Sequence, residues 1–530
     1  MLQGAGKWAI VTAMNLITSR RGCVLVLLAM VGMAAGCRSH RAAKAPPRAA
    51  AATEASVGAP SSTSITLDGD TADWPETEVI AADDHYIYIR FTVEDAQYTL
   101  QAAPIMTAIM LDVDGDVSTG RTGDMQPMSW LGSDLEIDFS PRNHGAAGHG
   151  VVVYSLDSAG RRTVLSTADV DFSCAPSYAS SWYECRISRT PDNAGALPRA
   201  GMLSSGTVRG VVATFDKDGK IDGYTDPFAV NAGPAAPGKA LATVDMPVKP
   251  EGAVRVMEYN VEKSSPTAKP EQFRRVFQAV KPDVILLEEW ETGDAAAVQA
   301  WFTAMVSSEV TWNVRKAGGD NATGGGVAIV TPYPLVAMTG DTITLPPGAT
   351  GKNAPEHKVR FVGAKVATPV AELLVGATHL KCCGSKDSPE DQTRLAEARG
   401  INAAFQSAAG AMDKGAMRVI AGDMNLVGTR PPLDLLRAGL DVDGSELGIA
   451  PAMVLGDKTY ATWRDPASGY AAGRLDFVLY SDANAQVVNA FVLDTSRLSD
   501  ESLARMGLDR GDCNGSDHLP VIVDLKPAAR

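Results

Sequence analysis

The sequence predicts two kinds of domain in one chain, an all-β domain followed by a larger α/β domain, and three observations carry this. At 530 residues the chain exceeds one ordinary domain, and 45% hydrophobic against 21% charged residues supplies more than one core. Residues 63–245 hold short alternating runs, such as Tyr86-Ile87-Tyr88-Ile89-Arg90-Phe91 and Val151-Val152-Val153-Tyr154, separated by Asp/Gly turns. That is the pattern of a β-sandwich. From Val254 the rhythm changes to strand-like segments alternating with helical ones, which is the pattern of α/β layers.

The chain opens on a targeting signal. Arg20 and Arg21 precede an apolar run of 13 residues, Cys23 to Ala35, too short to span a bilayer and suited to a signal h-region. Ala34, Ala35 and Gly36 lead into Cys37, an order that resembles a bacterial lipobox. The resemblance implies a signal peptide over 1–37 and a mature chain beginning at lipidated Cys37. An ordinary signal peptide with a coincidental cysteine is the alternative. Arg38 in place of Asp implies outer-membrane sorting in a Gram-negative host, hence a cell-envelope or cell-surface location held by a lipid anchor. Residues 38–62, rich in Ala, Pro and Ser without apolar period, read as a flexible tether.

Export permits disulfides. Cys174 and Cys185 lie close in sequence between strand-like runs, so a hairpin-closing bridge is expected. Cys382, Cys383 and Cys513 leave one odd thiol; either adjacent cysteine could pair with Cys513, and the spacing does not choose.

In the first domain, the run from Ile65 to Trp74 (ITLDGDTADW) and the later Asp83-Asp84-His85-Tyr86-Ile87-Tyr88 resemble family-9-type carbohydrate-binding modules. The resemblance implies a sandwich that binds carbohydrate. Asp112, Asp114 and Asp116, alternating around Gly115, could wrap oxygens about Ca²⁺, although the closing Glu of an EF-hand is missing. A solvated turn between strands is the alternative. Residues 233–250, with Gly233-Pro234, Pro237-Gly238 and Pro247 to Pro250, read as a linker.

The second domain, 253–530, predicts strands at 254–259, 283–288, 326–331, 359–367, 372–378, 417–422, 474–480 and 519–524, with helices near 271–280 and 294–306. Six short motifs follow one another along it: Met257-Glu258-Tyr259-Asn260, Leu286-Leu287-Glu288-Glu289, Ala377-Thr378-His379-Leu380, Gly422-Asp423-Met424-Asn425, Arg474-Leu475-Asp476-Phe477 and Ser516-Asp517-His518-Leu519. Each polar group falls at the end of an apolar strand-like run, where loops converge to build sites. Alone each motif is weak. Together they resemble the endonuclease/exonuclease/phosphatase superfamily, on the side of deoxyribonuclease I and the bacterial sphingomyelinases.

That resemblance implies a four-layer α/β sandwich of two packed mixed sheets, and a metal-dependent hydrolase of phosphate esters. It implies Glu289 as the principal ligand of Mg²⁺ (or Mn²⁺), with Asn260 and Asp517 nearby. His518 is the expected general base with a pKa near neutrality, oriented by Asp476. Asp423 and Asn425 position water and phosphate, and His379 donates to a non-bridging oxygen. The residue types suit the chemistry: an anionic phosphodiester needs a cation, a base for water, and donors on its equatorial oxygens. Glu288 stands where the family commonly has Gln, which adds negative charge near the metal.

The net charge is −14, and from Val254 onward 34 Asp/Glu face 28 Lys/Arg. This argues mildly against a processive binder of DNA, since backbone contact needs a basic face. Extracellular nucleic acid is nevertheless the first substrate expected, then phospholipid headgroups as in sphingomyelin, then soluble phosphate esters. A non-catalytic glycan-binding lipoprotein is the rival class, and the retention of every polar motif residue weighs against it.

Overall fold

The computed structural model describes residues 57–58, 65–76, 78–93, 98–121, 130–141, 148–192, 197, 201–204, 206–317 and 326–528. Signal segment 1–37, with Cys37, lies outside these residues, as does tether 38–62 apart from the strand Val57–Gly58. Sheet predominates over helix among the described residues, and no helix there is long and apolar enough to cross a membrane.

Residues 65–232 contribute to two sheets. A four-stranded antiparallel sheet runs in the order Ile80–Ala82, Tyr86–Thr92, Trp182–Ser188, Ser173–Ala175. A larger sheet is built around Gly206–Phe215, Met106–Asp112, Leu135–Phe139 and Val151–Leu156. Because side chains alternate along a strand, Ile87, Ile89 and Phe91 of the first sheet and Ile109, Leu111, Ile137 and Val153 of the second share one core.

The expected Cys174–Cys185 bridge needs correction. The two residues are direct cross-strand partners, as a bridge requires, yet both thiols are free. They lie buried in the core as small apolar groups, and burial pushes both thiols up. Cys513 is likewise free, buried with its Sγ 3.2 Å from the Leu493 carbonyl, and Cys382 and Cys383 are free at a more open position.

The α/β region has a seven-stranded sheet centred on Val284–Glu288, Val254–Asn260 and Val521–Pro527. A six-stranded sheet is centred on Phe361–Ala367, Glu372–His379, Met417–Asp423 and Asp476–Tyr480. Leu373 and Val375 join the core shared with Val256, Leu286 and Val523 of the other sheet, whereas Leu374 between them joins a second core. That second core includes Ile401 and Phe405 of the helix Pro389–Ala409. One face of the six-stranded sheet therefore meets the other sheet and the opposite face meets helix. Helices Pro270–Val280 and Ala295–Met305 place Phe273, Phe277 and Phe302 against the first core. The expected strands and helices are found within a few residues; the long helix Pro389–Ala409 and the strand Ala485–Val492 were not anticipated.

Register aligns the polar ends. Asn260 stands beside Glu288 on parallel strands, His379 beside Asp423 on another parallel pair, and Asp476 opposite Asp423 on an antiparallel one. Residues 233–250 touch both regions: Ala236 N–H donates to the Asp84 carbonyl, Ala242 N–H to the Arg497 carbonyl, and Val244 N–H to Ser502 Oγ, each at 2.8 Å.

Candidate active site

Asp423 is the hub of the site. It ends the strand Met417–Asp423 and is 2% exposed. The preceding Gly422 has φ +147°, and a Cβ there would meet the Thr378 carbonyl at 1.8 Å and Glu288 Oε1 at 3.0 Å, so the Gly-Asp pair of this motif is a steric requirement. Asp423 Oδ2 accepts from Asn425 Nδ2 at 2.9 Å and Asn260 Nδ2 at 3.2 Å. It also lies 3.4 Å from His379 Nε2 and 3.6 Å from His518 Nε2. Asn425 is turned back by a left-handed backbone (φ 47°), and its N–H caps Asp423 Oδ1 at 2.9 Å.

The two histidines are held in opposite states. Arg360 Nη1 lies 3.0 Å from His379 Nδ1, and a guanidinium only donates, so Nδ1 accepts and Nε2 carries the hydrogen toward Asp423. Burial, then Arg360, holds the His379 pKa well below its ordinary value, which keeps it a neutral donor. His518 Nδ1 lies 2.9 Å from both oxygens of Asp476. Burial opposes a charge on His518, but Asp476 and then Asp423 overcome it and push the pKa up to about 10. This differs from the near-neutral value expected of a base, because the imidazole sits among the carboxylates of Asp476, Asp423 and Asp517. Asp423 is itself raised to about 7, chiefly by burial.

Glu289 is the half-exposed carboxylate of the group. Its backbone is left-handed (φ 57°), which turns the side chain out of the strand direction. Oε1 accepts from Asn260 Nδ2 at 3.3 Å and lies 3.9 Å from His379 Nε2, and Oε2 accepts from Lys263 N–H at 3.1 Å. Asp517 is also half-buried, accepting from Trp463 Nε1 at 3.0 Å. The carboxylates of Glu289 and Asp423, drawn together on Asn260 Nδ2, are oxygen donors that fit a hard divalent cation. Oxygens of Asp423 and Asp476 and a ring nitrogen of His518 also lie within 4.8 Å of one another. Both oxygens of Asp476 are taken up by His518 Nδ1, however, so Asp476 orients the ring.

Two residues beneath this layer were not singled out as site residues. Glu258 and Glu288 are fully buried and face each other as a carboxyl pair, and no amide, hydroxyl or cationic donor reaches either among the described residues. Burial, then Asp476, holds both well above the usual carboxylate range. The Glu288 departure from the family's Gln was visible in sequence; its pairing with Glu258 needed the parallel register of the two strands. Arg360 lies outside the six motifs, so its place beside His379 needed the structure.

In the first region the structure groups Asp112, Asp114 and Asp134 within 4.8 Å, so that Asp134 stands in the group where Asp116 was expected. Asp116 accepts from Ser118 N–H and Oγ. Asp112 is already paired with Arg209 at 2.6 Å.

No curated protein matches the chain. Among solved structures, an endonuclease/exonuclease/phosphatase from Beutenbergia cavernae DSM 12333 shares 19% identity, covering 52% of this chain and 72% of that one, with a TM-score of 0.34. The 3' phosphatase NExo from Neisseria, bound to a product DNA hairpin, shares 17% over 51% and 98%, with a TM-score of 0.33. Truncated TDP2 from Caenorhabditis elegans shares 16% over 52% and 97%, with a TM-score of 0.37. The model of the Endonuclease/Exonuclease/phosphatase family matches residues 257–518, a span that takes in every residue of the site just described. Over residues 257–518 the chain matches that family, and the chain is a metal-dependent hydrolase of phosphate esters.

Proposed function

We propose that the chain hydrolyses phosphodiester bonds of nucleic acid by attack of water on phosphorus, with Mg²⁺ (or Mn²⁺) as the ion, on a four-layer α/β sandwich. The observation that carries this reading is the convergence of His379 Nε2 and His518 Nε2 on Asp423, with Asp476 holding the other ring nitrogen of His518. His518 takes the proton of the attacking water at Nε2, while Asp476 holds Nδ1–H and stabilises the imidazolium that forms. Asp423 and Asn425 position the water and the phosphate. His379 Nε2–H donates to a non-bridging oxygen. Glu289, Asn260 and Asp517 would hold the ion, which when bound neutralises phosphate charge and offsets the carboxylate field that keeps the proton on His518.

The same reading places the enzyme at the cell envelope, anchored through lipidated Cys37, as the lipobox-like order of residues supports. The grouping of Asp112, Asp114 and Asp134 supports a Ca²⁺ site in the all-β region. A cleft of about 490 Å³ lined by exposed Trp182, Arg90, Glu78 and Asp226 supports carbohydrate as that region's ligand.

The test is turnover by the purified chain, with Mg²⁺ and with EDTA, on duplex DNA, RNA, sphingomyelin and bis-(nitrophenyl) phosphate. EDTA-sensitive cleavage of DNA or RNA is expected. Cleavage of sphingomyelin alone would replace the substrate class, and no turnover on any of the four would remove the activity.

A further inference from the structure

We infer that the all-β region is part of the support of the active site, and that its Asp171 and Arg186 are positioning residues for Asp517 and His518. This rests on the roles given to those two residues above. The link is a chain of three arginines and three aspartates, of which Arg186 and Asp494 are buried and the other four half-buried. Arg186, with no exposed side-chain surface, forms two bonds of 2.6 Å to Asp457, and its guanidinium lies 4.1 Å over the Tyr86 ring. Asp171 forms a two-pronged pair with Arg497 and accepts from Tyr86 Oη at 2.9 Å. Arg497 Nε lies 3.9 Å from both Asp457 and Asp494. Asp494 in turn holds Arg464 at 2.9 and 3.0 Å.

Arg464 ends the chain at the catalytic layer. Its backbone N–H donates to the Asp517 carbonyl at 2.9 Å, and its neighbour Trp463 donates Nε1–H to Asp517 Oδ2 and pairs in a β-bridge with His518. On the same segment, Thr462 Oγ1 accepts from the N–H groups of Leu475 and Asp476, and the Thr462 carbonyl from Leu519 N–H. The segment 459–464 therefore touches both His518 and the Asp476 that orients it. Its other end is held by the all-β region, where Leu67 N–H donates to the Lys458 carbonyl at 2.8 Å and Leu67 pairs with Thr459. Buried ions persist only when paired in good geometry. Removing Asp171 or Arg186 takes the two-pronged partner from Arg497 or Asp457 and leaves it only ion-pair contacts of 3.9 Å, so the freed charge shifts toward them and the 459–464 segment shifts with it. A misplacement of about 1 Å at a reacting group costs on the order of 10²-fold in rate.

The test uses the full chain. Asp171→Asn and Arg186→Met are compared with Asp157→Asn, a surface control in the same region. Three readouts are taken: kcat and KM on bis-(nitrophenyl) phosphate per folded molecule, rescue by Arg186→Lys, and the NMR cross-peak of the Trp463 indole N–H, assigned through Trp463→Phe. The expected result is a fall in kcat of about tenfold or more with KM within about twofold, a shifted indole peak, and partial recovery in Arg186→Lys. The control should match wild type. If a single variant does not fold, Arg186→Met/Asp457→Leu removes both charges and leaves neither unpaired; it should fold with the same loss of kcat. Folded variants with wild-type kcat and an unmoved indole peak overturn the inference. The indole peak reads the Asp517 contact without any substrate, so failure of the nucleic-acid reading leaves this test intact.

Discussion

Both regions bury carboxylates, and the active site of the α/β region neutralises its own differently from the arginine-paired acids of the all-β region. In the all-β region Glu136 is paired with Arg121 and Arg162, Asp112 with Arg209, and Asp171 with Arg497. In the α/β region Glu258, Glu288, Asp423 and Asp476 have no arginine or lysine ion pair among the described residues. They meet histidines and one another. Charge on these three carboxylates is balanced within the fold, so it contributes to shape, whereas Asp138 and Glu184 of the same region are raised by burial to about 8 and about 7. Charge in the active site is balanced only by protons, and by a cation when one is bound, so it responds to both. A cluster of acids becomes a site when the fold withholds the counter-charge.

The largest effect that could break this contrast is on rate. Asp476→Asn keeps the shape of the side chain but loses the carboxylate that holds His518. Turnover should fall by about 10²-fold or more with the Mg²⁺ midpoint unmoved, measured as rate against Mg²⁺ concentration. An intact rate would mean that Asp476 is only a core residue.

Next is the pH dependence of stability in EDTA. The folded protein holds the His518 proton up to about pH 10, against a reference value of 6.5. This contributes stability that is fully present below about pH 6.5 and is lost as pH rises through about 10. The raised carboxyls of Glu258 and Glu288 act in the same direction, because the folded state binds the extra proton there too. Thermal midpoints in EDTA should fall steadily from pH 6 to 10, and His518→Gln should flatten the fall. A rise over that range would reverse the electrostatic account.

The smallest effect compares the regions directly. Glu136→Gln leaves two arginines without their carboxylate and should destabilise by about 1–3 kcal/mol, discounted because both arginines are partly exposed. Glu288→Gln removes a carboxyl from a crowded acidic set and should raise the thermal midpoint in EDTA at pH 8. Equal destabilisation by both would erase the distinction.

The site was legible because its chemistry is written at strand ends. Each polar residue lies at or beside the end of an apolar strand-like run, and the family resemblance of the six motifs singled out Asn260, Glu289, His379, Asp423 and Asp476. What pattern could not show is which strands become neighbours. Glu258 and Glu288 meet through a parallel pairing, and Arg186 meets Asp457 across 271 residues of chain. The helix Pro389–Ala409 was missed because its Ala-rich sequence has little amphipathic contrast, although Ser388 caps it by accepting from Asp391 N–H. The cysteine pair teaches the converse: the spacing of Cys174 and Cys185 matched cross-strand register, but proximity is not a bond.

The central claim is that the uncompensated acids of the α/β region bind a cation that serves the chemistry of His518. Turnover of bis-(nitrophenyl) phosphate against Mg²⁺ concentration, for wild type, Glu289→Gln and His518→Ala with circular dichroism as the folding control, tests it most directly. Glu289→Gln should move the Mg²⁺ midpoint to higher concentration, because a neutral amide replaces the most open carboxylate. His518→Ala should leave that midpoint in place and lose about 10²–10⁴ in rate. A folded His518→Ala enzyme with near-wild-type turnover, or a Glu289→Gln enzyme with an unmoved midpoint, would contradict the account.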